Sequence, residues 1–210
     1  MKLEDIILSG GADYTDLVRK AVADPDVYAA VNGALKSIFE THDPESCRRA
    51  LEVGTHFGDR DFASVVAQTL VNDVQTNGQL PSWGVAAVDF VSTQLVPSDP
   101  LRDQVFKLAL ARSETRLQAW RMSRSHDASA VSEHVVELLA EHPQEAKAVG
   151  IKFALVWQPS CMELASYLHG VERTPAIETL LETLKMYLFR IRRVRLWREF
   201  ELYLKRPKPT

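Results

Sequence analysis

The ten prolines constrain this chain more than any other feature. Proline lacks an N–H and has a fixed φ, so it is harmless in the first turn of a helix and disruptive further in. Asp24-Pro25, Asp43-Pro44, Asp99-Pro100 and Thr174-Pro175 each set a capping side chain ahead of proline, and Leu80-Pro81, His142-Pro143 and Gln158-Pro159 mark further helix starts. Pro97, Pro207 and Pro209 fall in a connection and in the tail, so no proline interrupts a periodic apolar stretch. Between the starts, apolar residues recur at three- and four-residue steps, as in Phe62, Val65, Val66, Leu70, Val71 and in Val131, Val135, Leu138, Leu139. The pattern predicts an all-α chain with helices near 13–22, 25–40, 44–56, 60–75, 81–94, 99–112, 114–124, 129–141, 143–156, 159–169 and 175–200. Phe200-Leu202-Leu204 is the one stretch with strand-like alternation.

The helices group in pairs that open at Pro44, Pro81, about Ser113, Pro143 and Pro175, at intervals of 37, 32, 30 and 32 residues. Such a period belongs to stacked helical hairpins, in which neighbours cover the apolar face that one hairpin cannot bury alone. In period and pattern the chain from about residue 43 resembles α-solenoids of the HEAT and armadillo kind. The expected organisation is one all-helical domain over 1–210. Helices in 1–42 precede hairpin repeats over 43–173, a long basic C-terminal helix over 174–205 and a tail over 206–210. An irregular helical bundle is the alternative. The Trp83, Trp120, Trp157 spacing of 37 residues falls at different points of successive helices and is read as coincidence. Gly10-Gly11, Gly58, Gly78 and Gly170 sit where helices end, whereas Gly33, Gly54, Gly84 and Gly150 fall inside helices, where close packing explains them.

Length and composition fit a globular chain, and no apolar run reaches the roughly 18 residues of a membrane span. The N-terminus carries Glu4 and Asp5 where a targeting peptide is basic, which predicts a cytoplasmic protein. Cys47 and Cys161 are far apart and in no metal or redox motif. Charge is strongly divided. Residues 1–184 hold 16 Lys+Arg against 26 Asp+Glu, a net −10, and residues 185–210 hold 9 against 2, a net +7.

Phosphate-cradling glycine loops, H-E-x-x-H and G-x-S-x-G are all absent. Glu52 and His56 form a single carboxylate–imidazole pair, short of a helical di-iron set. The doublets His42-Asp43 and His126-Asp127 evoke metal-dependent phosphohydrolases, but neither set is complete, and both aspartates read as N-caps. His56, Asp59 and Asp61 could bind a cation, although an N-cap with a first-turn acid accounts for the aspartates. Cys161 reads as a core residue at a helix start, with a depressed pKa if its sulfur is exposed. The expectation is therefore a chain with no catalytic residue, no metal site and no cofactor.

Two features point to partners. Glu133, Glu137 and Glu141 recur every four residues as an acidic stripe. In the C-terminal segment, Ile177, Leu181, Leu184, Leu188 and Ile191 form a packed seam, beyond which Arg190, Arg192, Arg193, Arg195 and Arg198 interleave with Val194, Leu196, Trp197 and Phe200. This run has three readings: it pairs with the acidic body, it docks on another protein, or it contacts nucleic acid or an anionic membrane surface. A nucleic-acid surface would join these arginines to others such as Arg121 and Arg124, with Trp197 free to stack on a base. The preferred function is a non-catalytic protein–protein interaction module, an adaptor or scaffold subunit of a larger assembly or a specific inhibitor of the immunity-protein type. A nucleic-acid-binding helical repeat is the alternative.

Overall fold

The computed structural model describes residues 2–10 and 12–207, and the described residues contain α-helices and short 3-10 turns but no strand. Gly11 and the last three residues of the tail, Pro209 included, lie outside them. The chain divides into two compact units, the described residues up to Ala109 and those from Leu110 on. No helix among the described residues is long and apolar enough to cross a membrane.

The first unit holds α1 (Leu3–Ser9), α2 (Ala12–Ala23), α3 (Pro25–Phe39), α4 (Pro44–Phe57), α5 (Arg60–Asn77), α6 (Gly84–Gln94) and α7 (Pro100–Leu110), the last of which ends at the division. Three starts follow the Asp-Pro rule. The carboxylates of Asp24, Asp43 and Asp99 accept the backbone N–H of Asp26 (2.9 Å), Ser46 (2.9 Å) and Leu101 (3.0 Å), each beside a proline at the helix start. Asp59 caps α5 in the same way, accepting from Phe62 N at 2.7 Å. Helix α1 was outside the expected set; Arg49 of α4 ties it down, donating Nε to Ile7 O at 3.2 Å with its guanidinium over the Tyr14 ring.

The core of this unit is an aromatic cluster. Phe39 meets Phe62 and Trp83 edge-on at 5.9 and 4.9 Å, and Phe62 meets Phe90 at 5.3 Å. A Cβ on Gly54 would come within 2.5 Å of the Phe62 ring, so close packing accounts for that glycine. The same explanation fails at Gly33, which is exposed and has nothing within 4 Å of its Cβ position. Asn32 is buried and fully used: its amide donates to Phe57 O (2.8 Å) and Tyr28 O (3.1 Å), and its Oδ1 accepts Asp59 N (2.8 Å). It bolts α3 to the turn between α4 and α5. The most extensive helix packings in this unit are α3 with α4 and α5 with α6, with α2 on α3 close behind.

The second unit holds α8 (Arg116–Met122), α9 (Ala128–Glu133), α10 (Val135–Glu141), α11 (Ala146–Leu155), α12 (Cys161–Leu168), α13 (Pro175–Arg190) and α14 (Val194–Leu204). Only α13 begins at a capped proline, with Ile177 N donating to Thr174 Oγ1 at 3.3 Å. Pro143 and Pro159 lie in 3-10 turns that precede α11 and α12. Likewise, in the first unit, Pro81 lies in a turn ahead of α6. Leu80, His142 and Gln158 make no capping bond, so the chain tightens into a turn before the α-helix begins. Asp127 occupies the N-cap position of α9 but its carboxylate makes no capping bond to that helix; it closes the preceding 3-10 turn instead, accepting Arg124 N at 2.5 Å. Helix α11 lies against α13 so closely that a Cβ on Gly150 would stand 2.8 Å from Leu180 O. Helix α12 in turn packs on α14, and α13 on α14.

Candidate interaction surface

The expected helix over 174–205 is two helices. Ile191 caps α13, Arg192 takes the left-handed conformation (φ 62°), and the backbone closes the end in two bonds. Arg193 N donates to Leu188 O at 2.7 Å and Arg192 N to Phe189 O at 3.0 Å, which is a Schellman cap with arginine where glycine usually sits. The chain then turns into α14, and Phe200, Leu202 and Leu204, the strand-like stretch, are helical.

This corner gathers the basic run. Arg190, Arg192, Arg193, Arg195 and Arg198 are all exposed. Among the described residues Arg195 makes an ion pair, with Glu199 of its own helix at 3.0 Å, while the other four make none. Met186 and Phe189, one turn apart on the exposed side of α13, are 54 % and 45 % exposed, and Leu202 of α14 is 64 % exposed. Trp197 behaves differently. It is 7 % exposed, stacks on Phe200 at 5.5 Å with the Lys185 ammonium over its ring, and anchors α14 to α13, so it is not open to a base. The cleft between α13 and α14, about 360 Å³, has Leu181, Trp197 and Leu204 at its floor and Glu182, Lys185 and Glu201 on its rim.

The acidic stripe is not continuous. At His134 the backbone leaves the helical region (φ −104°, ψ 9°), so Glu133 ends α9 while Glu137 and Glu141 lie on α10. All three are exposed, but Glu141 is taken up by an ion pair with the buried Arg116. Arg121 pairs with Glu145, to which Trp120 Nε1 also donates at 3.4 Å. Arg121 is thus neutralised within its own unit.

The other sequence candidates have structural partners. Glu52 pairs with Arg49 at 2.9 Å and Asp61 with Lys36 at 3.6 Å, and no group of His, Cys, Asp and Glu among the described residues could hold a metal ion. His42 faces Asp73 at 3.6 Å and His126 faces Asp127 at 3.0 Å. The Cys161 sulfur is enclosed: it lies 3.6 Å from Phe153 O, and burial pushes the thiol up to about 12, opposite to the shift a helix N-terminus gives an exposed thiol.

One constellation left little trace in the sequence. Lys152, in the last turn of α11, places its ammonium 4.4 Å from the Trp120 ring and 4.6 Å from the Trp157 ring. It donates to Ser123 O (2.8 Å) and Ser123 Oγ (2.7 Å), while Trp157 Nε1 donates to Arg124 O at 3.0 Å. Burial lowers the amine to about 8, with Asp127 pulling it up and Arg124 adding to the depression. The Trp120–Trp157 spacing therefore reflects one shared contact, 5.7 Å edge-on, while Trp83 belongs to the other core. A lysine between two tryptophans so far apart in sequence is visible only once α8 and α11 are folded.

Comparison of the chain with protein-family models, with curated proteins and with solved structures finds no match.

Proposed function

We propose that this chain is a non-catalytic protein-interaction module, an adaptor or scaffold subunit, and that the α13–α14 corner is its contact surface. The observation that carries this is the corner's composition: four exposed arginines without an ion pair and a fifth paired within its helix, interleaved with exposed Met186, Phe189 and Leu202. Arginine beside apolar anchors is the mixture that concentrates binding energy at protein interfaces. Guanidinium groups left without an ion pair match a partner whose carboxylates face them. The stacking of α11 on α13 and of α12 on α14 supports reading this unit as hairpins of the HEAT and armadillo kind, a scaffold that commonly presents such surfaces.

The same five arginines favour one second reading, a phosphate-contacting helix pair. Against it stand the burial of Trp197 and the engagement of Arg121 by Glu145. Labelled mixed-sequence DNA and RNA titrated with the full chain across a salt series separates the two. The interaction-module reading expects no nucleic-acid binding at physiological salt. It also expects protein partners captured from the native cell to be lost with R190Q/R192Q/R193Q/R195Q/R198Q. Micromolar nucleic-acid binding whose log affinity falls steeply with log salt, and which the same variant abolishes, would overturn it.

A further inference from the structure

The surfaces of this chain include a counterpart to the basic corner. In the first unit, α1, α2 and α3 line a groove of about 650 Å³ whose floor is Leu3, Ile6, Leu17 and Val27 and whose rim carries Asp13, Asp16 and Asp26 together with one cation, Lys20. All three aspartates are exposed. Asp16 has Arg19 of its own helix at 3.5 Å, and Asp13 and Asp26 make no ion pair among the described residues. Asp24 lies next to this rim but is already spent on capping α3. The groove is apolar below, and its rim is net anionic, three aspartates against Lys20. The α13–α14 corner has the inverse pattern, apolar Met186 and Phe189 flanked by Arg190, Arg192 and Arg193.

The charge of the two units follows the same division. The first has 9 Lys+Arg against 16 Asp+Glu, a net −7, and the second has 16 against 12, a net +4. Like surfaces of two copies repel, so a symmetric contact through either unit is disfavoured, while opposite surfaces attract over about a Debye length and guide the encounter.

We infer that the chain self-associates head to tail, the α13–α14 corner of one copy seating Met186 and Phe189 in the α1–α3 groove of a second copy while its arginines meet Asp13, Asp16 and Asp26. Such a contact is heterologous, joining unlike surfaces of two copies, so it closes into a ring or extends into a chain and the average mass rises with concentration. Self-association occupies the same corner as the adaptor reading and therefore limits how much of that surface a foreign partner can reach.

Sedimentation velocity and light scattering on the full chain test this, with a charge-reversed groove variant, D13K/D16K/D26K, and a neutralised corner variant, R190Q/R192Q/R193Q, checked for folding by circular dichroism. The wild type is expected to exceed 23.6 kDa in weight-average mass as concentration rises at low salt, and its association to weaken at least about tenfold between 50 and 300 mM salt. Each variant alone is expected to be monomeric. A mixture of the two retains one intact groove and one intact corner, so it is expected to form a 1:1 dimer of twice the 23.6 kDa chain mass and to stop there. A wild type that is monomeric at all concentrations and salts, variants that associate like the wild type, or a mixture that stays monomeric would each overturn the inference. Foreign-partner binding that still depends on the five arginines would leave the adaptor reading standing in that case, whereas nucleic-acid binding by the corner would sink both.

Discussion

The two units reach helical folds by different routes. In the first, α2 to α7 run 11 to 18 residues, three of them open at an Asp-Pro cap, and the core is an aromatic cluster with one buried amide, Asn32, in which every bond is made. In the second, α8 to α12 run 6 to 10 residues, 3-10 turns stand before three helices, and the core admits a lysine between two indoles. They share one device. Cys47 Sγ lies 3.5 Å from Phe39 O and Cys161 Sγ lies 3.6 Å from Phe153 O, so in each unit a thiol early in one helix meets a carbonyl near the end of the previous one, eight residues back. The difference teaches that side-chain caps define the starts of four long helices in the first unit, α3, α4, α5 and α7, whereas in the second α13 alone among the α-helices opens on such a cap and the short helices rely on tertiary contacts such as those of Lys152 and Arg116.

The comparison can be broken at defined points. Asn32→Leu leaves Phe57 O and Asp59 N unpaired beneath a buried side chain, and is expected to cost about 3 kcal/mol in denaturant unfolding, at 1–3 kcal/mol per orphaned group. Hydrogen exchange should speed up in the α3–α5 region. Gly150→Ala forces a methyl against the α13 backbone, with an expected cost of about 2 kcal/mol and faster exchange in α11 and α13. Exchange confined to the other unit would contradict either assignment.

Lys152 sharpens the contrast through pH. Its amine titrates near 8 in the fold and near 10.5 when unfolded, so between those values the unfolded chain holds a proton that the folded chain has lost. Stability contributed at this site therefore rises as pH increases through that window. The gain is about 1–2 kcal/mol for a half-exposed amine. Equilibrium unfolding at pH 7.5, 9 and 10.5 should show this rise in the wild type relative to Lys152→Met, and equal slopes would remove the effect. Arg192→Gly should relieve the left-handed strain at the α13 end and stabilise the chain by about 1 kcal/mol, read from the unfolding midpoint. A loss instead would mean that the arginine side chain holds the corner.

The all-α class was legible because Asp-Pro and Thr-Pro announce helix starts with an acceptor in place, and at all four such sites the helix begins at the proline. Where Leu80, His142 and Gln158 precede proline, the sequence has the stop without the cap, and a turn intervenes. The break after α13 was hidden because the residue that makes it is arginine and the usual signal is glycine. For the same reason the acidic stripe read as continuous: His134 carries no breaker chemistry, and its departure from helix is visible only in the folded unit. Of the surface candidates, the five arginines were legible as a charged run, but their lack of partners is a property of the fold, as is the burial of Trp197.

The central claim is that this arginine corner serves a partner and not the chain's own fold. Urea unfolding of R190Q/R192Q/R193Q/R195Q/R198Q against the wild type tests it most directly. A contact surface predicts unchanged stability, within about 0.5 kcal/mol of the wild type, as for surface substitutions that break no network. A loss of several kcal/mol, greatest at low salt, would mean that the arginines brace the protein's own acidic surface, and would contradict the account.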